Sequence, residues 1–231
     1  MSKNKKNQAA SEQLENVENA LSKTEHYIED NQKSLIIIVL AIVVIVGGYF
    51  AYQKIYLQPK ENEAHAQMFV AEQYFANDSF NLAINGDGNY LGFIDIVDEF
   101  SMTKSANLAN YYLGISYLKL GQYEDAIEYL KQFETGDKLI APIAYGAIGD
   151  AYLELDKKDD ALSFYEKAVY ESDNDFTAPL FLMKVGFVNE LLGEYKDALK
   201  AYEEIENNYS ESREGRQVEK YIAKVKTLMA K

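Results

Sequence analysis

One motif recurs three times in the second half of the chain, centred on Gly114, Gly149 and Gly186. Successive glycines are 35 and 37 residues apart. A recurrence of this length is typical of helical repeats, in which each unit is a helix pair that buries its apolar face against the next. The spacing therefore predicts an all-α solenoid over this part of the chain.

Each repeat predicts two helices, A and B, joined by a tight turn. The central glycine is expected to let helix A approach helix B closely, because a Cβ atom there would collide. Gly121 and Gly193 are expected to end helix A in left-handed backbone geometry. Pro142 and Pro179 are expected at the first position of helix A, where a missing N–H costs nothing. The residues that repeat in phase are Leu113, Gly114, Tyr117, Leu120, Gly121, Tyr123, Ala126 and Leu130; Ile148, Gly149, Tyr152, Ala161, Tyr165 and Ala168; and Val185, Gly186, Leu192, Gly193, Tyr195, Ala198 and Tyr202.

This pattern resembles the tetratricopeptide repeat, whose usual length is about 34 residues. The resemblance implies three such repeats over residues 106–212. Residues 55–105 are predicted to form a degenerate first repeat, interrupted by a Gly-rich insertion at residues 85–89. Residues 213–231 are predicted to form a helix that caps the last apolar surface of the solenoid.

In tetratricopeptide repeats, the second, fifth, ninth and twelfth positions of helix A usually line a concave groove. The resemblance therefore implies a partner-binding groove that is unusually apolar, with Asp150 and Glu190 toward its rim. Such a surface suits an extended apolar segment of an unfolded polypeptide or a partner helix. Whether the groove is free or filled by another part of the chain is left open. The positions carried over are Leu108, Tyr111, Ile115, Leu118, Ile143, Gly146, Asp150, Leu153, Leu180, Met183, Phe187 and Glu190.

Ahead of the repeats, the chain carries no charged residue from Ser34 to Gln53. Twenty helical residues rise about 30 Å, which matches the hydrocarbon core of a bilayer. We therefore predict a single transmembrane helix over residues 34–54. A cleaved signal peptide fits less well, because 33 mostly polar residues precede the segment and no small-x-small site follows it. Five lysines precede the segment against Lys54 and Lys60 just after it, which favours a cytoplasmic N-terminus.

Residues 1–33 are predicted to be a cytoplasmic amphipathic segment. Leu14, Val17, Leu21 and Ile28 fall at heptad-like spacing on a Glu-rich stretch. The stretch is too short for a convincing coiled coil. A helix that contacts a partner and a helix that lies on the membrane surface both remain open.

The formal net charge of −14 lies almost entirely beyond the apolar segment. Residues 54–231 hold 18 Lys or Arg against 31 Asp or Glu. A domain this acidic repels phosphate backbones, which argues against nucleic acid as a partner. Basic or apolar polypeptides fit better, although the acidity also serves solubility.

No constellation of residues points to catalysis. The chain has no cysteine, and its two histidines, His26 and His65, lie on opposite sides of the apolar segment. The loop at residues 85–89 offers alternating oxygen ligands. However, Tyr90 stands where a calcium loop needs glycine and Ile96 where it needs glutamate. The sequence therefore predicts neither an enzyme nor a metal site, cofactor or small-molecule substrate.

A short motif brackets the apolar segment. It consists of Ile28, Glu29, Asn31, Lys33 and Leu35 before the segment and Gly47, Gly48 and Tyr49 at its end. With the acidic repeat domain, this layout resembles the YfgM-like ancillary subunits of the SecYEG translocon, which are single-span proteins of the bacterial inner membrane with a periplasmic repeat domain. The three well-formed repeats and the insertion at residues 85–89 depart from that family's more degenerate repeats.

The resemblance implies an accessory to protein translocation or envelope protein folding. Such a protein would capture polypeptides in its groove near SecYEG and pass them to periplasmic chaperones. A second class of function competes with this hypothesis, namely a structural scaffold that docks one folded partner in an envelope complex. A membrane regulator that signals through its N-terminal helix is a third hypothesis.

Overall fold

The computed structural model describes residues 28–172 and 174–230. The chain divides into two compact units, residues 1–58 and residues 59–231. The described residues fold into helices joined by short loops, without a β-strand. An all-α fold is therefore confirmed. Most of the predicted amphipathic segment, through residue 27, lies outside the described residues.

The described part of the first unit is an apolar helix, α1, over Gln32–Tyr52. A π-helical turn follows over Gln53–Leu57, and Tyr52 stacks on Tyr56 with ring centroids 5.4 Å apart. None of the side chains in α1 is buried. Its 21 residues rise about 31 Å. Among the described residues, one helix is long and apolar enough to cross a bilayer, and α1 supplies its apolar part.

Ten further helices follow in the described part of the chain, most of them in A and B pairs that pack on their neighbours in sequence. Three buried clusters form the core, one near α2 to α5, one between α6 and α7 and one from α8 to the last helix. The helices are α2 Gln58–Ala76, α3 Phe80–Asn85, α4 Phe93–Glu99, α5 Lys104–Lys119, α6 Tyr123–Gln132, α7 Ile140–Glu154, α8 Lys158–Glu171, α9 Thr177–Leu192, α10 Tyr195–Asn208 and α11 Gly215–Met229.

The turns from helix A to helix B share one backbone conformation. Gly121 and Gly193 have φ angles of 75° and 80°, as the Leu-Gly motif predicts. Asp156 adopts the same left-handed region in the middle repeat, and Asp78 adopts it between α2 and α3. Because α2 and α3 share this turn with the clear repeats, we interpret them as a degenerate pair. The alanine five positions after each turn residue is fully buried in all four pairs, namely Ala83, Ala126, Ala161 and Ala198.

The glycine within each helix A lies against a large buried side chain of helix B. A Cβ atom at Gly149 would lie 2.6 Å from Cε1 of Tyr165, and one at Gly186 would lie 2.2 Å from Cε1 of Tyr202. The first clear repeat has a buried leucine in place of the tyrosine. These distances are far below van der Waals contact, so only glycine permits this helix spacing. The predicted role of these glycines is confirmed.

The prediction for the two prolines was wrong by two positions. Helices α7 and α9 begin at Ile140 and Thr177, which makes Pro142 and Pro179 the third residue of each helix. The helix starts early because an upstream side chain satisfies its first N–H groups. Before α7, Asp137 Oδ1 accepts hydrogen bonds from the backbone N–H of Leu139, at 2.8 Å, and of Ile140, the first residue of the helix, at 3.0 Å. The prolines still fall in the first turn, where backbone N–H groups have no intrahelical acceptor.

The insertion at residues 85–89 is a closed turn between α3 and α4. Asp87 accepts hydrogen bonds of 2.9 Å from the backbone N–H of Asn89 and Tyr90 and from the Tyr74 hydroxyl. The backbone N–H groups of Tyr90 and Asn89 hold the pKa of Asp87 below its usual range. The carboxylate is therefore used to close the loop. Within the described residues, no group of three His, Cys, Asp or Glu is placed to hold a metal ion.

Glu61 joins the start of α2 to the start of α5. Its carboxylate accepts hydrogen bonds from the backbone N–H of Lys104, at 2.6 Å, and of Ser105, at 3.1 Å. It also accepts one from the Ser105 hydroxyl, at 2.7 Å. These groups belong to a helix N-terminus, where backbone N–H groups lack partners and a negative charge is favourable.

Replacing Glu61 with alanine is therefore expected to lower the free energy of unfolding by about 1–2 kcal/mol. Thermal or urea unfolding of the full-length protein in detergent, followed by circular dichroism, measures this change. Glu63→Ala is the matched control, because Glu63 only pairs with Lys60 on the surface of the same helix, at 3.5 Å. The control is expected to change stability by less than about 0.5 kcal/mol. Equal losses in both variants would show that the carboxylate of Glu61 does not stabilise α5.

Candidate protein-binding groove

The predicted groove residues lie on the A helices α5, α7 and α9. All eleven non-glycine residues keep some exposure, although the Glu190 side chain is only 7% exposed. Ile143, Leu180 and Phe187 are more than a third exposed, although they are large and apolar. The full set is Leu108, Tyr111, Ile115, Leu118, Ile143, Asp150, Leu153, Leu180, Met183, Phe187 and Glu190.

The last repeat brings three of these residues together in one cavity. Leu180, Met183 and Phe187 line a hollow of about 400 Å³ on α9. Its opposite wall is the final helix α11, which contributes Gln217 and Tyr221. The hollow is therefore apolar on one side and mixed on the other, and it is large enough to take one or two apolar side chains of a partner.

A second cavity of about 440 Å³ lies between α5, α7 and α9. Leu118 and Leu153 form its apolar part, and Asp150 lies beside them. Lys184 of α9 lines both this cavity and the one at the last repeat. The two hollows thus share Lys184 as a lining residue, and both lie against A helices.

Other predicted residues contribute mainly to packing. Tyr111 lies against Phe133 with ring centroids 5.3 Å apart, and burial raises the pKa of its hydroxyl. Ile115 packs against the cluster between α6 and α7. Gly146 was carried over as a groove position, and this was wrong. A Cβ atom there would lie 2.0 Å from Cε1 of Phe181, so this glycine is the contact point between α7 and α9.

The two acidic groove residues are neutralised within the chain. Asp150 accepts a hydrogen bond of 2.6 Å from the Tyr165 hydroxyl and forms an ion pair with Lys184. Glu190 accepts one of 2.8 Å from the Tyr202 hydroxyl and pairs with Lys224. Both carboxylates therefore have a cationic partner on a following helix, which offsets the negative charge that they bring to the predicted groove.

The tyrosines of these networks remain protonated donors. Burial, together with the neighbouring carboxylate, raises the pKa of Tyr165 and of Tyr202 well above the usual value for tyrosine. Each ring packs on the helix A glycine, and each hydroxyl binds the acid of the same helix. The two interactions together hold helix B at a defined distance from the groove-lining helix.

The sequence reasoning missed the groove residues that α11 supplies. It assigned this helix only a capping role, from the apolar positions Val218, Ile222, Val225 and Met229. The first three are buried, whereas Met229 is 42% exposed. Gln217 and Tyr221 lie on an adjacent face and line the cavity. The signal was present in the helical period, which places residues 217 and 221 on one face one turn apart.

Comparison of the solenoid sequence with known repeat families identifies the type of repeat. Residues 106–176 and residues 181–212 match two models that are each described as the tetratricopeptide repeat. The solenoid is built from tetratricopeptide repeats. This fold is typical of noncatalytic scaffolds that bind other proteins. No curated protein matches the sequence significantly.

Solved structures with the same fold agree with this assignment. The crystal structure of the MamA protein superposes with a TM-score of 0.52 at 20% identity, covering 71% of this chain and 88% of MamA. A putative kinesin light chain from Podosopora anserina, with nearly identical TPR-like repeats, superposes with a TM-score of 0.55 at 14% identity, covering 74% of this chain and 88% of that one. At these identities the similarity concerns the fold alone.

Proposed function

We propose that this protein is a membrane-anchored protein-binding module that assists protein translocation or protein folding in the bacterial envelope. Helix α1 anchors it in the inner membrane, with the N-terminus in the cytoplasm and the repeats in the periplasm. The lysine bias across the apolar segment supports this orientation. The layout around the segment supports a place beside SecYEG, as in the YfgM-like subunits that it resembles.

The observation that carries the proposal is the apolar groove at the last repeat. Leu180, Met183 and Phe187 are partly exposed beside one another, facing Tyr221 across a cavity. The groove acids already have ionic partners, so an incoming polypeptide meets apolar and aromatic surface with little net charge. Such a surface binds apolar side chains of extended polypeptides with little dependence on sequence.

The anchor adds to the effect of this groove. A binding site tethered to the membrane has a raised effective concentration for ligands that emerge at the membrane surface. A weak, unselective groove therefore suffices for transient capture of polypeptides close to the translocon. The periplasmic chaperones would then receive the polypeptide when it dissociates.

Site-specific photocrosslinking in native membranes tests the proposal. A photoreactive amino acid at Phe187 of the full-length protein is expected to crosslink to many different envelope polypeptides and to translocon subunits. The same group at Ser163, which is exposed on helix B of the middle repeat, is the control and is expected to yield few products. A single stoichiometric product at Phe187 would instead support the scaffold hypothesis. Equal products at both positions would contradict capture in the groove.

A further inference from the structure

The loops that connect each helix B to the next helix A are joined along one edge of the solenoid. The Asn107 side chain donates to the Glu134 carbonyl, at 2.7 Å, and accepts from its backbone N–H, at 2.9 Å. The Asn174 side chain donates to the Lys138 carbonyl, at 3.2 Å. These bonds connect the start of α5 to the loop before α7, and that loop to the one before α9. We call the three loops that precede α5, α7 and α9, together with the first turn of α2, the loop edge.

The first turn of α2 belongs to this edge because it contacts the loop before α5. Lys60 Nζ lies 5.1 Å from the centroid of the Phe100 ring. Glu61 accepts the hydrogen bonds from Lys104 and Ser105 described above. The chain therefore enters the solenoid at the loop edge.

Each loop of this edge exposes a large apolar side chain. Met102 is 67% exposed, Leu139 49% and Phe176 73%. Leu139 and Phe176 lie in turns of the same kind, in which the side chain two residues upstream accepts hydrogen bonds from backbone N–H groups at the helix start. The Asp137 side chain accepts hydrogen bonds from the backbone N–H of Leu139 and of the next residue. The Asn174 side chain does the same for Phe176 and the residue after it, and all four distances are 2.8–3.0 Å. These apolar side chains are thus presented by ordered turns.

The opposite edge, at the turns from helix A to helix B, is different. Its turn tips expose Gly121, Gln122, Asp156 and Glu194, which are polar or lack a side chain. Of the large apolar residues beside the turns of the three clear repeats, Leu191 alone is more than a third exposed. Near the first turn, Leu82 is 41% exposed and Tyr90 is 52% exposed. In the clear repeats, the exposed apolar loop residues therefore lie mainly on the edge at which the chain enters.

We propose that the loop edge rests on the lipid surface and inserts Leu139 and Phe176 into the interface. This inference rests on the proposed anchoring by α1. Gln53 ends the uncharged segment and Pro59 opens the solenoid, so only five residues lie between them, and even a fully extended chain would span about 20 Å there. Large apolar and aromatic side chains favour the interface.

The lipid involved has an uncharged or zwitterionic headgroup. The acidic charge of residues 54–231 repels an anionic bilayer surface. Contact is therefore expected to depend on the apolar side chains and to weaken as the fraction of anionic lipid rises. This dependence is opposite to that of a basic membrane-binding patch.

Depth-dependent quenching in vesicles tests the inference, and the absence of cysteine allows a single label to be placed. We would attach an environment-sensitive fluorophore to Lys138→Cys or Asp175→Cys in the full-length protein, in phosphatidylcholine vesicles that carry a nitroxide near the headgroup. Quenching at these two sites is expected to exceed that at Gln122→Cys and Glu194→Cys at least threefold. Adding Leu139→Asp and Phe176→Asp is expected to reduce it to the control value. Replacing a third of the lipid with phosphatidylglycerol is expected to lower it as well.

A label at Ile42→Cys, with a nitroxide deep in the acyl chains, reports the anchor separately. Strong quenching there with control-level quenching at the loop edge would overturn this inference and leave the anchor intact. Weak quenching at Ile42 would overturn both. A blue-shifted emission at the loop edge without lipid quenching would mean that protein covers these residues, either a partner or a second copy, and would also overturn the inference.

Discussion

Replacing Gly186 with valine is expected to lower the free energy of unfolding by about 3 kcal/mol. The first added carbon alone would lie 2.2 Å from Cε1 of Tyr202. That ring cannot move aside easily, because it is fully buried and its hydroxyl is bound to Glu190. Relief would require α9 and α10 to separate, which would open the last repeat. Urea unfolding of the full-length protein in detergent, followed by circular dichroism, measures the loss.

Two further variants identify the cause of this loss. Gly136→Val is the matched control, since no atom lies within 4 Å of the added carbon in that exposed loop, and its effect is expected to stay within about 0.5 kcal/mol. Tyr202→Ala removes the colliding ring and is itself expected to cost about 3–5 kcal/mol. The Gly186→Val, Tyr202→Ala double variant is expected to lose clearly less than the sum of the two. Additive losses would contradict a direct contact.

Introducing Leu180→Glu together with Phe187→Glu is expected to weaken binding of an unfolded apolar polypeptide at least tenfold. Both side chains are partly exposed, so the helix tolerates the change. A bound apolar segment would however bury the new carboxylates without partners, which costs more than 1.4 kcal/mol. Fluorescence anisotropy of a labelled apolar peptide, titrated with the full-length protein, measures the affinity, and circular dichroism checks that helicity is kept.

The control for this experiment adds the same charge elsewhere. Ser163→Glu with Tyr170→Glu places two carboxylates on the exposed surface of helix B in the middle repeat. This variant is expected to bind the peptide as tightly as the unchanged protein. If both variants bind equally well, the groove of the last repeat is not the binding site. If both bind poorly, the loss reflects the increase in negative charge alone.

Several structural features were predictable because each depends on residues close in sequence or on neighbouring repeats. The period of the glycines indicated the repeat type, and the turns at Gly121 and Gly193 followed from the Leu-Gly motif. The close approach of helix B to the glycine of helix A was also predictable, since a short turn joins the two helices of a repeat. In a solenoid each unit contacts mainly its neighbours, so a sequence period carries most of the fold.

The electrostatics of the groove required the tertiary structure. The partner of Asp150 is Lys184, 34 residues away on the next helix A, and whether the two meet depends on the rotation between successive repeats. No local pattern specifies that rotation. The starts of α7 and α9 were misplaced for a related reason, because a side chain upstream of each helix accepts a hydrogen bond from the N–H of its first residue.

The sequence by itself determined an all-α chain, the tetratricopeptide repeats and an apolar helix long enough for a bilayer, because each follows from composition or period along the chain. The tertiary structure alone decided which groove residues are open, that the groove acids are neutralised, and that Tyr221 of the last helix faces Phe187. It also placed Leu139 and Phe176 on the edge at which the chain enters the solenoid. Those features depend on how helices from different repeats are rotated and packed, and packing in three dimensions is not periodic in the sequence.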